Sequence, residues 1–409
     1  MARQLQIGAE IVAEDDDRFV GRLAHAYHLR RRPMCLCRPD GVALYVARIG
    51  AQFVAKRMPL TGKDHHPSCQ SFTPADDRTG LCTELRAAVI AKDDCEPVAI
   101  DVDFTLATGR TSTSTGDDTS VRRRRALRAR LSLLALLHLL WHAAGLVEWT
   151  GYWNGKRRWW HVHRYLVKAT QCVSIRGEPL SERAFIPEPF KVADKLAIAG
   201  RRSKSLARIF QRGANQRMLL IGEVKELRTA CDRQEITLKH MPGVRLLLDA
   251  PQSRRLQRGF RTPLTLWSSD QSLHLIAIAT VEAGPAGALR VVDVAVMTVT
   301  EHWLPVEDVH ELQLVTKLAR RRSKLVKTLR FDAPKTHPIA TVTLPDARPL
   351  PWTLYRVPVD AGTGFEPQLA RRILAHPETR AWIWRPRAGA MPPLPFGGVK
   401  QALVDGEDD

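Results

Sequence analysis

Residues 31–72 read RRPMCLCRPDGVALYVARIGAQFVAKRMPLTGKDHHPSCQSF. Cys35 and Cys37 stand one residue apart, two apolar runs follow, and His65, His66 and Cys69 close the stretch. Val42–Arg48 and Gln52–Arg57 have strand character on either side of Ile49-Gly50-Ala51, the pattern of a hairpin. An antiparallel hairpin returns the chain to its starting end, so the cysteines before it and the His/Cys group after it would meet at its base. Zinc takes four soft or borderline donors at tetrahedral geometry, usually thiolate and imidazole. The expected cofactor is therefore zinc, held by Cys35, Cys37, Cys69 and one histidine. In His66-Pro67-Ser68-Cys69 the histidine and cysteine have the two-residue gap of a turn whose amides can stabilise thiolate, which favours His66, with His65 as the alternative. Four protein ligands leave no open position, so the role would be structural.

The chain has 409 residues, 44% of them hydrophobic, enough for roughly two or three domains with proper cores. The fold class expected is α+β multidomain. Residues 1–108 read as a small β-rich, zinc-stabilised module with further strands at 87–90 and 98–104. The linker 109–120 lies in the Ser/Thr/Gly/Asp-rich run ATGRTSTSTGDDTS. Residues 121–200 read as a basic helical domain, with a helix over 121–144 ended by Gly145. Residues 201–409 alternate strand-like and helix-like stretches, as in a mixed α/β domain. Strands are expected at 218–225, 236–240, 244–248, 273–281, 289–298, 339–343 and 352–359, and helices at 204–211, 306–321 and 366–375.

The opening MARQLQIGAEIVAEDDD is polar and acidic, unlike a secretory signal, and four of the seven cysteines (Cys82, Cys95, Cys172, Cys231) are scattered. A cytoplasmic protein without a disulfide framework is expected, its clustered cysteines acting as metal ligands. The apolar run LSLLALLHLLWHAAGLV, residues 131–147, is at the short limit for a span and carries Ser132, His138 and His142. A buried core helix, and no membrane association, is the expectation.

Lys and Arg number 62 against 43 acids, a net charge of +19, which attracts polyanions such as DNA or RNA. The cations are clustered. Arg122, Arg123, Arg124, Arg125 and Arg128 crowd the start of the first long helix, where guanidinium groups suit phosphate. Lys156, Arg157, Arg158, Trp159 and Arg164 combine cations with rings, as binders of groove or unpaired bases do. A winged-helix module across 121–186, with RGEPLSER as its wing, would present them. Arg320, Arg321, Arg322 and Lys324 close a later helix, where its dipole also favours cations.

The leading expectation is a non-enzymatic DNA- or RNA-binding accessory protein or complex subunit. Another is a Mg²⁺-dependent nuclease of PD-(D/E)xK type, with Glu223 as metal ligand and Lys225 orienting water. The upstream Asp that such a core needs is not placed, and strand alternation puts Glu223 and Lys225 on one face, where an ion pair would satisfy them. A third expectation is an adaptor whose basic surface meets a protein partner. No P-loop, internal repeat or GxGxxG between strand and helix is seen.

The run 31–72, with LLIGEVKEL (219–227), MTVTEHWLPVEDVHE (297–311) and LVKTLRFDAP (325–334), resembles an uncharacterised bacterial family known only as a domain of unknown function. That family is defined by cysteines near its N-terminus and is often found on plasmids and integrated mobile elements. Cys35, Cys37 and Cys69 match its defining pattern. The resemblance implies a cytoplasmic, mobile-element-associated accessory protein and carries no established activity.

Overall fold

The computed structural model describes residues 3–49, 52–57, 65–66, 68–72, 98–104, 106, 131–175, 177–210, 217–230, 233–347 and 349–395. The linker 109–120, the strand expected at 87–90, the start of the winged-helix span and Arg122, Arg123, Arg124, Arg125 and Arg128 lie outside the described residues. The chain is α+β and gathers into two compact units. One comprises residues 1–78, 323–328 and 335–409; the other comprises 79–322 and 329–334.

The first unit begins with an antiparallel sheet of order β2-β1-β3-β4-β5, made by β1 (Gln4–Ile7), β2 (Glu10–Ala13), β3 (Met34–Cys35), β4 (Val42–Ile49) and β5 (Gln52–Arg57). The expected hairpin is present: Leu44 faces Arg57 and Ile49 faces Gln52. Helix α1 (Phe19–His28) places Phe19 and Leu23, one turn apart, against Leu5, Val12, Val42, Leu44 and Ala55. Cys35 is fully buried in this small core.

The second unit is built on a barrel. Strand β7 (Met218–Ala230) pairs through its first half with β10 (His274–Ala283) and through its second half with β8 (Arg233–Leu238). The ladder continues from β8 to β9 (Arg245–Leu248), from β9 to β11 (Leu289–Val299) and back to β10, so five strands close on themselves. All pairs are antiparallel except β9 with β11. Counted from β7, the order is 1-2-3-5-4-1, with helices α5 (Ala250–Gly259) and α6 (Arg261–Ser269) between the third and fourth strands. That is the topology of an OB barrel. The first strand serves both neighbours because it bends: its register shifts between Val224 and Glu226. Just before the shift stands Gly222, where a Cβ would fall 2.7 Å from Leu238 Cδ1.

The barrel interior holds Met218, Leu220, Val224, Ile236, Leu238, Leu246, Leu248, Leu275 and Val281, closed off by Leu256 of α5 and by Leu206 and Ile209 of α4 (Lys195–Phe210). Short strands β6 (Ala184–Phe185) and β12 (Pro305–Val306) extend the sheet beside β7 and β11. Helices α2 (Leu133–Ala143), α3 (Trp159–Gln171) and α7 (Val309–Arg320) complete the unit. Helix α2 is the expected core helix: eight of its eleven residues are buried and Ser132 caps it by accepting from the Ala135 amide. No helix among the described residues is long and apolar enough to cross a membrane.

The first unit resumes with β13 (Leu325–Lys327), β14 (Val342–Leu344), β15 (Trp352–Arg356) and β16 (Arg380–Trp384), adjacent in that order. Helix α8 (Phe365–Leu374) packs Phe365 and Leu369 against Ala340, Tyr355 and Val357.

The turn joining β10 to β11 tolerates no side chain at its first residue. A Cβ on Gly284 would lie 2.9 Å from the Ala288 carbonyl oxygen and 3.1 Å from the Arg290 amide, both backbone atoms that cannot yield without opening the turn. Gly284→Ala is expected to cost about 1–3 kcal/mol in urea unfolding monitored on the whole chain. A variant as stable as the wild type would show that the turn relaxes freely.

Candidate functional site

The hairpin brings its two flanks together as the spacing predicts, with a different histidine. Cys35 sits on β3, Cys37 follows in the turn, and His65 and Cys69 come from the loop after β5. Cys35 Sγ and Cys69 Sγ are 3.7 Å apart, and His65 Nδ1 lies 3.3 Å from Cys37 Sγ and 3.7 Å from Cys69 Sγ. All four donor atoms lie within 4.8 Å of one another. A tetrahedron with zinc–sulfur bonds of about 2.3 Å has sulfur–sulfur edges of about 3.8 Å and slightly shorter sulfur–nitrogen edges, so the cluster has the dimensions of a zinc site. The preference for His66 is corrected. Its ring is exposed and Nδ1 bonds Ser68 Oγ at 2.8 Å, while its amide donates to Cys37 Sγ at 3.4 Å. The turn does stabilise thiolate, but through its backbone, leaving the fully buried His65 to face the sulfurs.

The donor set itself calls for a cation. Cys35 is pulled down to about 3 by the hydrogen bond from Cys69, which outweighs burial; the bond from His65 and the Arg3 side chain act in the same direction. That same bond, with burial, pushes Cys69 up, and burial raises Cys37. Crowding thus opposes ionisation of all three thiols, and a positive ion among them would relieve that opposition. Cys35, Cys37, His65 and Cys69 could hold a metal, and a divalent ion of zinc's size fits.

The second unit brings two of the basic clusters together. A Cβ on Gly151 would lie 3.0 Å from Arg322 Cβ, so the turn leading into α3 abuts the end of α7. Lys156, Arg158, Arg164, Arg320, Arg321 and Arg322, on these two segments, are exposed. Tyr152 and Trp160, in the same segment as Lys156, Arg158 and Arg164, are 67% and 48% exposed. Lys156 Nζ lies 4.3 Å above the Tyr152 ring, and Trp160 stacks on His161 at 3.4 Å.

Three members of the predicted clusters do other work. Arg157 is buried, lowered to about 10 by that burial, and its guanidinium donates to the carbonyls of Leu146, Glu148 and His302. Trp159 is buried and its indole N–H donates to the Pro187 carbonyl. Lys324 belongs to the first unit, where it pairs with Asp346 at 3.1 Å.

Glu223 is also recast. It is 3% exposed, and its partner is not Lys225, which is exposed at the strand shift. Lys239 Nζ donates to Glu223 Oε1 at 2.5 Å, His274 Nδ1 lies 2.6 Å from the same oxygen, and His240 Nε2 stands 3.6 Å from Oε2. Burial opposes the charge, but the bonds from His240, His274 and Lys239 prevail and hold the carboxyl at about 2. Each imidazole is clamped by an indole: His240 lies flat on Trp159 at 5.2 Å and His274 on Trp303 at 4.1 Å. Trp303 adopts a φ of 63°, a conformation costing about 1–3 kcal/mol in a bulky residue. With nitrogen donors at both of its oxygens, this carboxylate is arranged as the hub of a network. The sequence held a partial signal, since His240 and His274 fall at the ends of two expected strands. Only the strand pairing shows that those ends adjoin Glu223.

No curated protein matches the chain. The family model described as "Protein of unknown function (DUF1173)" matches residues 5–387, and the chain belongs to that family.

Proposed function

We propose that this is a cytoplasmic nucleic-acid-binding accessory protein, a subunit of a bacterial mobile-element or defence-type nucleoprotein complex, with zinc as a structural element of its N-terminal sheet. The observation that carries the reading is the contact of Gly151 with Arg322, which sets the end of α7 with its cations beside the basic segment that exposes Tyr152 and Trp160. Guanidinium groups take phosphate bidentately, and exposed rings offer bases a stacking surface. The net charge of +19 supplies long-range attraction. The OB topology of the barrel adds weight as an analogy of fold, which by itself fixes no function.

The test is fluorescence anisotropy with duplex and single-stranded oligonucleotides from about 50 to about 200 mM salt. Affinity is expected to fall steeply, with a log–log slope near −0.9 per duplex phosphate contacted. The triple variant Lys156→Glu, Arg164→Glu, Arg322→Glu should flatten that slope by roughly 3. Salt-insensitive binding, or a slope unchanged in the triple variant, overturns the surface. Absence of nucleic-acid binding together with a stoichiometric co-purifying protein would replace it with the adaptor reading.

A further inference from the structure

Among the described residues, one wall of the barrel of the second unit carries the pattern of an uncovered sheet face. Strand β10 is buried along eight consecutive residues, and β11 is buried along its last six, so both are covered on two faces. Strands β8 and β9 alternate instead. Gln234, Ile236 and Leu238 turn in while Arg233, Glu235 and Thr237 turn out; Leu246 and Leu248 turn in while Arg245 and Leu247 turn out. Such alternation marks a sheet face left to solvent. The second half of β7 continues the wall, with Glu226 opposite Thr237 and Arg228 opposite Glu235, and Thr237 in turn faces Arg245 across the next ladder.

The wall is cationic with a smooth floor. Lys225, Arg228, Arg233 and Arg245 stand at it against Glu226 and Glu235, and Thr237 and Leu247 lie between them. Arg228 bonds Glu226 at 2.8 Å and Arg245 reaches Glu235 at 3.5 Å, but these arginines are 69% and 57% exposed. Pairs so wet contribute little and exchange readily for a phosphate, which guanidinium binds in a fork. From β7 to β9 the wall spans two strand spacings, about 10 Å, the width of one nucleic-acid strand rather than a duplex. In a barrel of this order, the second and third strands form the side that accepts oligonucleotides.

We propose that the outer wall of β7, β8 and β9 binds an unpaired nucleic-acid strand, its phosphates on Arg228, Arg233 and Arg245 and its bases over Thr237 and Leu247. This deepens the proposed function, and it uses none of the residues around Tyr152 and Trp160. The strand would be held by its backbone and read with little sequence preference.

The experiment compares oligothymidine with a duplex of equal length on the full chain, in the wild type, in Arg233→Glu with Arg245→Glu, and in Lys156→Glu with Arg164→Glu. Reversal on the wall is expected to weaken oligothymidine at least about tenfold at low salt, with a smaller effect on duplex. The neutral pair Arg233→Gln with Arg245→Gln, which leaves the ladder hydrogen bonds in place, should fall between, guarding against a folding defect. Oligothymidine binding that survives wall reversal but falls with Lys156→Glu and Arg164→Glu overturns the wall and leaves the basic aromatic surface standing. Equal losses for duplex and single strand also overturn it. No binding of any oligonucleotide by the wild type ends both readings.

Discussion

Protein purified without chelator is expected to carry one zinc ion per chain by elemental analysis, and to lose it in Cys37→Ser, Cys69→Ser and His65→Ala but not in His66→Ala. Three donor–donor edges measure 3.3–3.7 Å and all lie within 4.8 Å, which suits a tetrahedral ion. The sheet they close has a core of few side chains, Leu5, Val12, Phe19, Leu23, Val42, Leu44 and Ala55 among them. A core that small supplies only about 3–5 kcal/mol, whereas structural zinc contributes about 10–16 kcal/mol in isolated finger peptides. Chelation should therefore unfold β1 to β5 outright, seen as loss of their slow hydrogen exchange. His66→Ala is the discriminating control, because His66 offers the metal site only an amide. Full zinc in His65→Ala, or its loss in His66→Ala, would reverse the ligand assignment. Wild-type protein without stoichiometric zinc would end it.

What the sequence made legible follows from how local each signal is. The β4–β5 hairpin and the gathering of Cys35, Cys37 and Cys69 at its base could be read because the turn and both flanks lie within one short stretch. The choice between His65 and His66 could not, since it depends on which ring the loop turns inward, and adjacent residues in a turn point opposite ways. In the later part of the chain, the strands expected at 218–225, 273–281 and 289–298 occur nearly at those positions. Their closure into a barrel escaped because it rests on β7 pairing with both β8 and β10, a long-range choice made at the bend beside Gly222. Arg157 and Trp159 illustrate the same limit at single residues. Composition marks KRRWW as a binding surface, yet helical periodicity sends Trp159 inward against His240 and leaves Trp160 outside. The local pattern pairs Glu223 with the residue two places along, whereas its partners in the fold include residues 16 and 51 positions away.

Those distant partners make Glu223 the site of the largest acid sensitivity expected in the second unit. The sign follows from the direction of its shift. In the folded chain the carboxyl is held at about 2, below its ordinary value of 4.5. Its stabilising contribution is therefore complete above about pH 4.5 and is lost as the pH falls from there towards 2. A shift of that size corresponds to roughly 3 kcal/mol, and the 3% exposure of Glu223 leaves little solvent to screen it. Replacement should act at neutral pH. Glu223→Ala leaves His274 and Lys239 facing a void, and a loss of about 3–5 kcal/mol is expected in urea unfolding. Lys239, 43% exposed, can turn to water, which favours the lower end of that range. Glu223→Gln keeps the shape and one acceptor oxygen, so it should lose less at about pH 7 while showing a flatter decline towards about pH 3. The decisive comparison is that difference in slope. If the wild type and Glu223→Gln lose stability in parallel between those two pH values, the acid sensitivity arises elsewhere and the network contributes no charge-dependent stability.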